Sequence, residues 1–152
     1  METSSSSMDM SPGTWQNLKH FDEDETKRIT NNYSTCIGED GFGKVYKGDL
    51  LDEYDQVAVK EYIRKDLREE FMEEVRIHSK MKQKNIVKLI GYCTSDSNLM
   101  LITEYISNGN LDYILHNNRN ISIPLDTRLG IAIGCAEALV YMHSMRKYRT
   151  TE

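Results

Sequence analysis

The chain has 152 residues, 39% hydrophobic and 28% charged, with a formal net charge of -5. That is enough apolar material for one core and too much for a wholly disordered chain. The acidic balance gives no footprint for nucleic acid, no apolar run can span a bilayer, and the three scattered cysteines Cys36, Cys93 and Cys135 suggest neither a disulfide framework nor a zinc site.

The opening "METSSSSMDMSPGTW" is Ser-rich. It has neither the basic start nor the apolar stretch of a secretory signal, and it lacks the Gly after Met that myristoylation needs. Residues 1–20 therefore read as a disordered lead, and the product as soluble and cytoplasmic with no direct membrane anchor. In "FDEDETKRITNNYS", Asp22 can cap a short helix whose first turn holds Asp24 and Glu25, and Asn31-Asn32 would end it. "STCIGE" and "GKVYKGDL" then flank Asp40-Gly41, a hairpin-turn signal. "QVAVKEYI" alternates as a third strand.

"DLREEFMEEVRIHSKM" places Leu67, Phe71, Val75 and His78 at helical spacing, with Asp66 as the expected N-cap. "NIVKLIGYC" and "LMLITEYI", joined by "TSDSN", read as an antiparallel strand pair. "SNGN" breaks the run and "LDYILH" is a short helix. From Leu125, the residues Leu129, Ala132, Ile133, Ala136, Leu139, Val140 and His143 line one face of a long helix, before the polar "MRKYRTTE".

Glycines at a hairpin tip let backbone amides approach phosphate oxygens, and Gly38, Gly41 and Gly43 supply that freedom. Lys60 ends the third strand beside this hairpin. An ammonium among Val57, Ala58 and Val59 needs an anion, and Glu74 on the next helix could hold it in place to meet phosphate. Each feature alone has a plainer meaning: an ordinary turn, a solvated lysine, the wet side of a helix. His20, His78, His116 and His143 have no metal-ligand spacing and read as structural.

Taken in order, "IGEDGFGKVYKG", "VAVK", "EFMEEV", "NIVKLIGYC", "LITEYISNGNLDYILH" and "DTRLGIAIGCAEALVYMHS" resemble the first half of the eukaryotic protein kinase fold. The wording "ITNNYSTCIGE", "IVKLIGYC" and "EYISNGNL" looks specifically like plant receptor-like serine/threonine kinases. The resemblance runs from about Phe21 to Ser144. It implies an α+β fold: a kinase-like N-lobe over 21–106 with a five-stranded antiparallel sheet and one regulatory helix. Two helices of an incomplete C-lobe would follow over 107–145, then a polar tail over 146–152. It also implies an ATP site. Val45 and Ala58 would roof the adenine, Lys60 would bind the α- and β-phosphates, and Glu74 would pair with Lys60. Thr103 would guard the back of the pocket, and the backbone of Glu104 and Ile106 would meet the adenine edge. Ile37, Gly38, Gly41 and Gly43 complete the set.

Two departures matter. Asp40 stands where G-x-G-x-x-G wants its middle glycine, and a carboxylate there would repel phosphate unless it swings outward. The H-R-D and D-F-G segments, which in the family carry the base and the magnesium ligands, are absent, so the resemblance leaves no catalytic residue and no metal ligand to assign. Asp112 and Asp126 sit at helix starts, where capping suffices as their role. Expected, then, is an ATP-binding domain with a weakened or lost site, truncated and not competent alone. The alternatives are a non-catalytic interaction or decoy module and an incompletely read gene for an active serine/threonine kinase. The wide apolar face of the long helix, which Ile131 and Met142 extend, would be left uncovered. It would favour self-association or contact with full-length kinases or other proteins.

Overall fold

The computed structural model describes residues 18–50, 55–117 and 122–146. Its centre is a six-stranded sheet in the order β1-β5-β6-β4-β3-β2. The strands are β1 (Lys19–His20), β2 (Cys36–Glu39), β3 (Gly43–Asp49), β4 (Gln56–Tyr62), β5 (Leu89–Thr94) and β6 (Leu99–Glu104). Among the described residues there are four helices: α1 (Glu23–Ile29), α2 (Arg68–Ser79), α3 (Leu111–His116) and α4 (Leu125–Arg146). The α+β class and the expected strand and helix order hold. The sheet has one strand more than expected, because β1 lies in the segment read as a disordered lead. It pairs in parallel with β5, Lys19 opposite Gly91. A Cβ at residue 91 would sit 2.3 Å from the Lys19 carbonyl oxygen, so the glycine is what admits this strand. Residues 1–17 and 147–152 lie outside the described residues.

Alternation divides the sheet into two faces. Val57 and Val59 of β4 are fully buried on one face, with Phe21, Met100, Ile102, Cys93 and Ile29 of α1. Phe71 and Val75 of α2 pack on the other, against Leu89, Leu99 and Leu101. A register shift between Leu89 and Gly91 lets β5 serve both faces. The even residues of β4, Ala58, Lys60 and Tyr62, share the α2 side.

The helix ends show which caps the sequence specifies. Asp22 accepts from Glu25 N at 2.7 Å while its own N–H donates to Glu25 Oε2 at 3.0 Å, a reciprocal capping box. Past α1, Asn31, Asn32 and Tyr33 take positive φ of 48°, 56° and 57°. Asparagine tolerates that region, whereas Tyr33 is held there by bonds from its N–H to Thr30 Oγ1 and between its hydroxyl and Thr26 Oγ1. The expected cap Asp66 does not cap. Arg64 takes both of its carboxylate oxygens, at 2.9 and 2.6 Å, so α2 starts at Arg68 behind Leu67 with no side-chain cap.

The chain then passes from β6 through Tyr105, whose N–H donates to Gln56 O at 3.2 Å, to α3, capped by Asn110. α4 meets the loop after α2 through a narrow stripe. Ala138 is buried there, the Tyr141 hydroxyl accepts from Lys82 N at 2.9 Å, and Glu137 faces Lys84 and Asn85. The apolar face expected from periodicity points elsewhere: Leu125, Leu129, Ile133, Leu139 and Val140 are all more than half exposed.

Candidate functional site

β2 and β3 meet in a three-residue turn, Asp40-Gly41-Phe42. The sequence signal for a hairpin is correct, but its mechanism is not the usual Asp-Gly turn, since neither Asp40 nor Gly41 has positive φ. The Asp40 side chain makes the turn. Its Oδ1 accepts from Phe42 N at 2.8 Å and from Gly43 N at 2.9 Å, while Asp40 N donates to Gly43 O at 3.0 Å. Among the glycines here, Gly43 is sterically obligatory: a Cβ would lie 1.9 Å from Glu61 O on the neighbouring strand. Gly41 faces open space, and a Cβ on Gly38 would only touch Val45.

Beside this turn, strand register assembles the α2-side face. Val45 of β3 is opposite Lys60 of β4, which is opposite Leu101 of β6. In the next row Ala58 is opposite Thr103, which is opposite Leu89. Val45, Ala58, Lys60 and Thr103 therefore stand together on one side of the sheet. Ile37 and Gly38 lie on β2 at the edge of this surface, Ile37 42% exposed. Glu104 ends β6. Its N–H donates to Lys88 O at 3.1 Å, its carboxylate accepts from Lys88 N at 3.0 Å, and its carbonyl accepts from the Thr103 hydroxyl at 3.3 Å. Ile106 follows, exposed, and its N–H takes no partner among the described residues.

The expected Lys60–Glu74 pair is not formed. Lys60 Nζ meets Asp40 Oδ2 at 3.2 Å, while Glu74 accepts from the Tyr62 hydroxyl at 2.8 Å. The turn folds the Asp40 carboxylate back onto its own loop amides and toward Lys60, where it stays half-exposed. Tyr62, two residues along the same strand face, competes for Glu74. The Lys60 ammonium also lies 5.3 Å from the Tyr62 ring centroid and 5.9 Å from that of Phe42, within reach of cation–π attraction. Bonds from the two loop amides, then from Lys60, hold the Asp40 carboxyl below the usual carboxylate range. Burial first, and the bond to Glu74 second, push the Tyr62 phenol up.

Sequence reasoning missed Tyr62, Phe42 and the bonding of Asp40 to its own loop amides and to Lys60. A signal existed for the last: an Asp side chain accepting from its own backbone two residues on is a standard turn device. Tyr62 could be found by counting in twos from Lys60. Elsewhere, burial pushes the Cys93 thiol up to about 11, which makes it an inert core group rather than a nucleophile. Among the described residues no group of three or more His, Cys, Asp or Glu is placed to hold a metal ion, and no helix is long and apolar enough to cross a membrane.

Comparison with known proteins gives a consistent result. The profile of the protein tyrosine and serine/threonine kinase family matches residues 32–148. Among curated relatives from Arabidopsis thaliana, leaf rust 10 disease-resistance locus receptor-like protein kinase-like 2.8 is 38% identical over 83% of this chain and 14% of its own length. Putative proline-rich receptor-like protein kinase PERK11 is 39% identical over 82% of this chain and 18% of its own, and receptor-like protein kinase FERONIA is 34% identical over 86% and 15%. The chain thus spans under a fifth of the length of these relatives. Two solved structures share the fold. The apo GRMZM2G135359 pseudokinase has a TM-score of 0.76 at 26% identity, covering 84% of this chain and 49% of that one. The pseudokinase DRIK1 (drought responsive inactive kinase 1), bound to ENMD-2076, has a TM-score of 0.75 at 27% identity, covering 85% and 52%.

Proposed function

This chain belongs to the protein tyrosine and serine/threonine kinase family, as a kinase domain of the plant receptor-like type, and on that premise we propose that it binds an adenine-type ligand without itself transferring phosphate. One observation carries the reading: Val45, Ala58, Lys60 and Thr103 lie in adjacent rows on one sheet face, next to the glycine hairpin and leading to the Ile106 N–H. Val45 and Ala58 offer an apolar surface for a flat base, and the Ile106 N–H, without a partner among the described residues, together with the Glu104 carbonyl offers hydrogen bonds along its edge. ATP is the family's cofactor, and Lys60 is the residue that would face its phosphates.

Phosphoryl transfer needs a positioned base and carboxylates for magnesium. Within these residues Asp112 is paired with His116 and Asp126 accepts from Thr127 N, both at helix starts. The likeness to two pseudokinases supports a non-catalytic role. The test is a calorimetric titration with adenosine. Saturable binding that is abolished by Ala58→Leu, with the melting temperature retained, is the expected result. Absence of saturable binding of adenosine and of ATP by the wild-type chain overturns the reading.

A second reading has an observation of its own. Leu125 at 72% exposure, Val140 at 68% and Ile133 at 59% make an uncovered apolar face on α4, suited to contact with another protein, a full-length kinase of the family being the natural candidate. Co-purification with such a kinase that is lost in Ile133→Lys and Val140→Lys variants supports this role. A sedimentation profile and capture unchanged by those substitutions speaks against it.

A further inference from the structure

In the glycine hairpin, one carboxylate engages two loop amides and the neighbouring lysine. The Phe42 and Gly43 amides both point at Asp40 Oδ1, and the Lys60 ammonium meets Asp40 Oδ2. Two backbone N–H groups and a lysine converging on one anion are the donor set of a phosphate cradle. Here the anion is part of the chain. Phe42 and Tyr62 stand beside the same ammonium, and Glu74 is bonded to the Tyr62 hydroxyl, so the carboxylate that Lys60 meets is Asp40.

We propose that Asp40 is an internal substitute for nucleotide phosphate and makes this site selective for uncharged nucleosides, or other neutral adenine-like ligands, over nucleoside triphosphates. The inference rests on the adenine-site reading above and adds the ligand class. A triphosphate must break three bonds to Asp40 before it gains the same donors, and it then lies beside a displaced carboxylate of like charge. A nucleoside asks for none of this. It needs the Val45 and Ala58 surface and the Ile106 N–H, which Asp40 does not touch.

Sequence alone suggests repulsion by Asp40 or its departure into solvent. The geometry points instead to competition. Competition and repulsion separate in the Asp40→Asn variant, which keeps an oxygen to accept from the loop amides but removes the charge that holds Lys60.

The experiment is a titration of wild-type, Asp40→Gly and Asp40→Asn chains with adenosine and with ATP, in EDTA so that only the chain's own groups are compared. Circular dichroism melting controls for folding, and Asn maintains the turn should Gly loosen it. Wild type should bind adenosine at least as tightly as ATP. Asp40→Gly should tighten ATP tenfold or more and move adenosine by less than twofold, with Asp40→Asn between. A tenfold wild-type preference for ATP overturns the proposal while leaving the adenine site standing. So does an Asp40→Gly change that is equal for both ligands or nil for both. Failure of both ligands to bind any of the three chains removes the adenine site itself and this inference with it.

Discussion

The two faces of the sheet are made by alternate residues of the same strands, yet they are built to different ends. On the α1 side Phe21, Val57, Val59, Met100 and Ile102 are each at most 1% exposed, and the polar groups among them, Thr26 and Thr30, are bonded to backbone carbonyls. On the α2 side the same strands present Lys60, Tyr62 and Thr103, with Phe71, Val75 and Leu101 packed along only part of the surface. Burial and full hydrogen bonding make the first face a support. Leaving ionisable groups half-exposed on the second suits it to the proposed ligand. The strongest way to break the comparison is Ile102→Ala. It deletes a fully buried side chain from the α1-side core, so it should lower unfolding free energy by about 2–5 kcal/mol. Urea denaturation measures this. At temperatures where the variant stays folded, adenosine affinity should not change. A large loss of affinity in the folded variant would mean that the two faces are not separate.

Much of this division is legible in the chain. The period of two in "QVAVKEY" places Val57 and Val59 on one face and Ala58 and Lys60 on the other, and Asp22 with Glu25 announces the α1 cap. What could not be read was competition between nearby partners. Asp66 had the right position to cap α2 and was taken by Arg64; Glu74 had the right position for Lys60 and was taken by Tyr62. Each outcome depends on which of two donors lies a few ångströms nearer, a tertiary fact that spacing in sequence does not carry. β1 was hidden for another reason. Two residues are too few to show a period, and the pairing is licensed by Gly91, which is 72 positions beyond Lys19.

A smaller effect belongs to the support face and is set by pH. Glu23 of α1 accepts from Ser95 Oγ at 2.5 Å, from Asn98 Nδ2 at 2.7 Å and from Ser97 Oγ, tying α1 to the β5–β6 turn. These bonds, Ser95 first, hold its carboxyl at about 2 against an ordinary value of 4.5. Because the folded-state value is depressed, the stabilisation is present in full above about 4.5 and is lost as pH falls toward 2. Melting temperatures of wild type and Glu23→Gln should therefore differ most at neutral pH and converge between those limits. A difference that stays constant through that window would show that Glu23 is not what joins α1 to the turn.

The smallest expected change lies on the face proposed for the ligand and concerns Tyr62→Phe. Removing one part-exposed hydroxyl costs at most about 1 kcal/mol of stability. Its consequence should appear only in combination. In the wild-type chain Asp40 still holds Lys60, so freeing Glu74 gives it no partner and ATP affinity should not move. In the Asp40→Gly background both Lys60 and Glu74 are released, and their pairing would fix the ammonium where phosphate could reach it. ATP affinity in the double variant should then exceed that of Asp40→Gly alone by a few fold. A gain from Tyr62→Phe in the wild-type background would show that Glu74 reaches Lys60 despite Asp40. The absence of a gain in the double variant would mean that α2 itself, rather than Tyr62, keeps Glu74 and Lys60 apart.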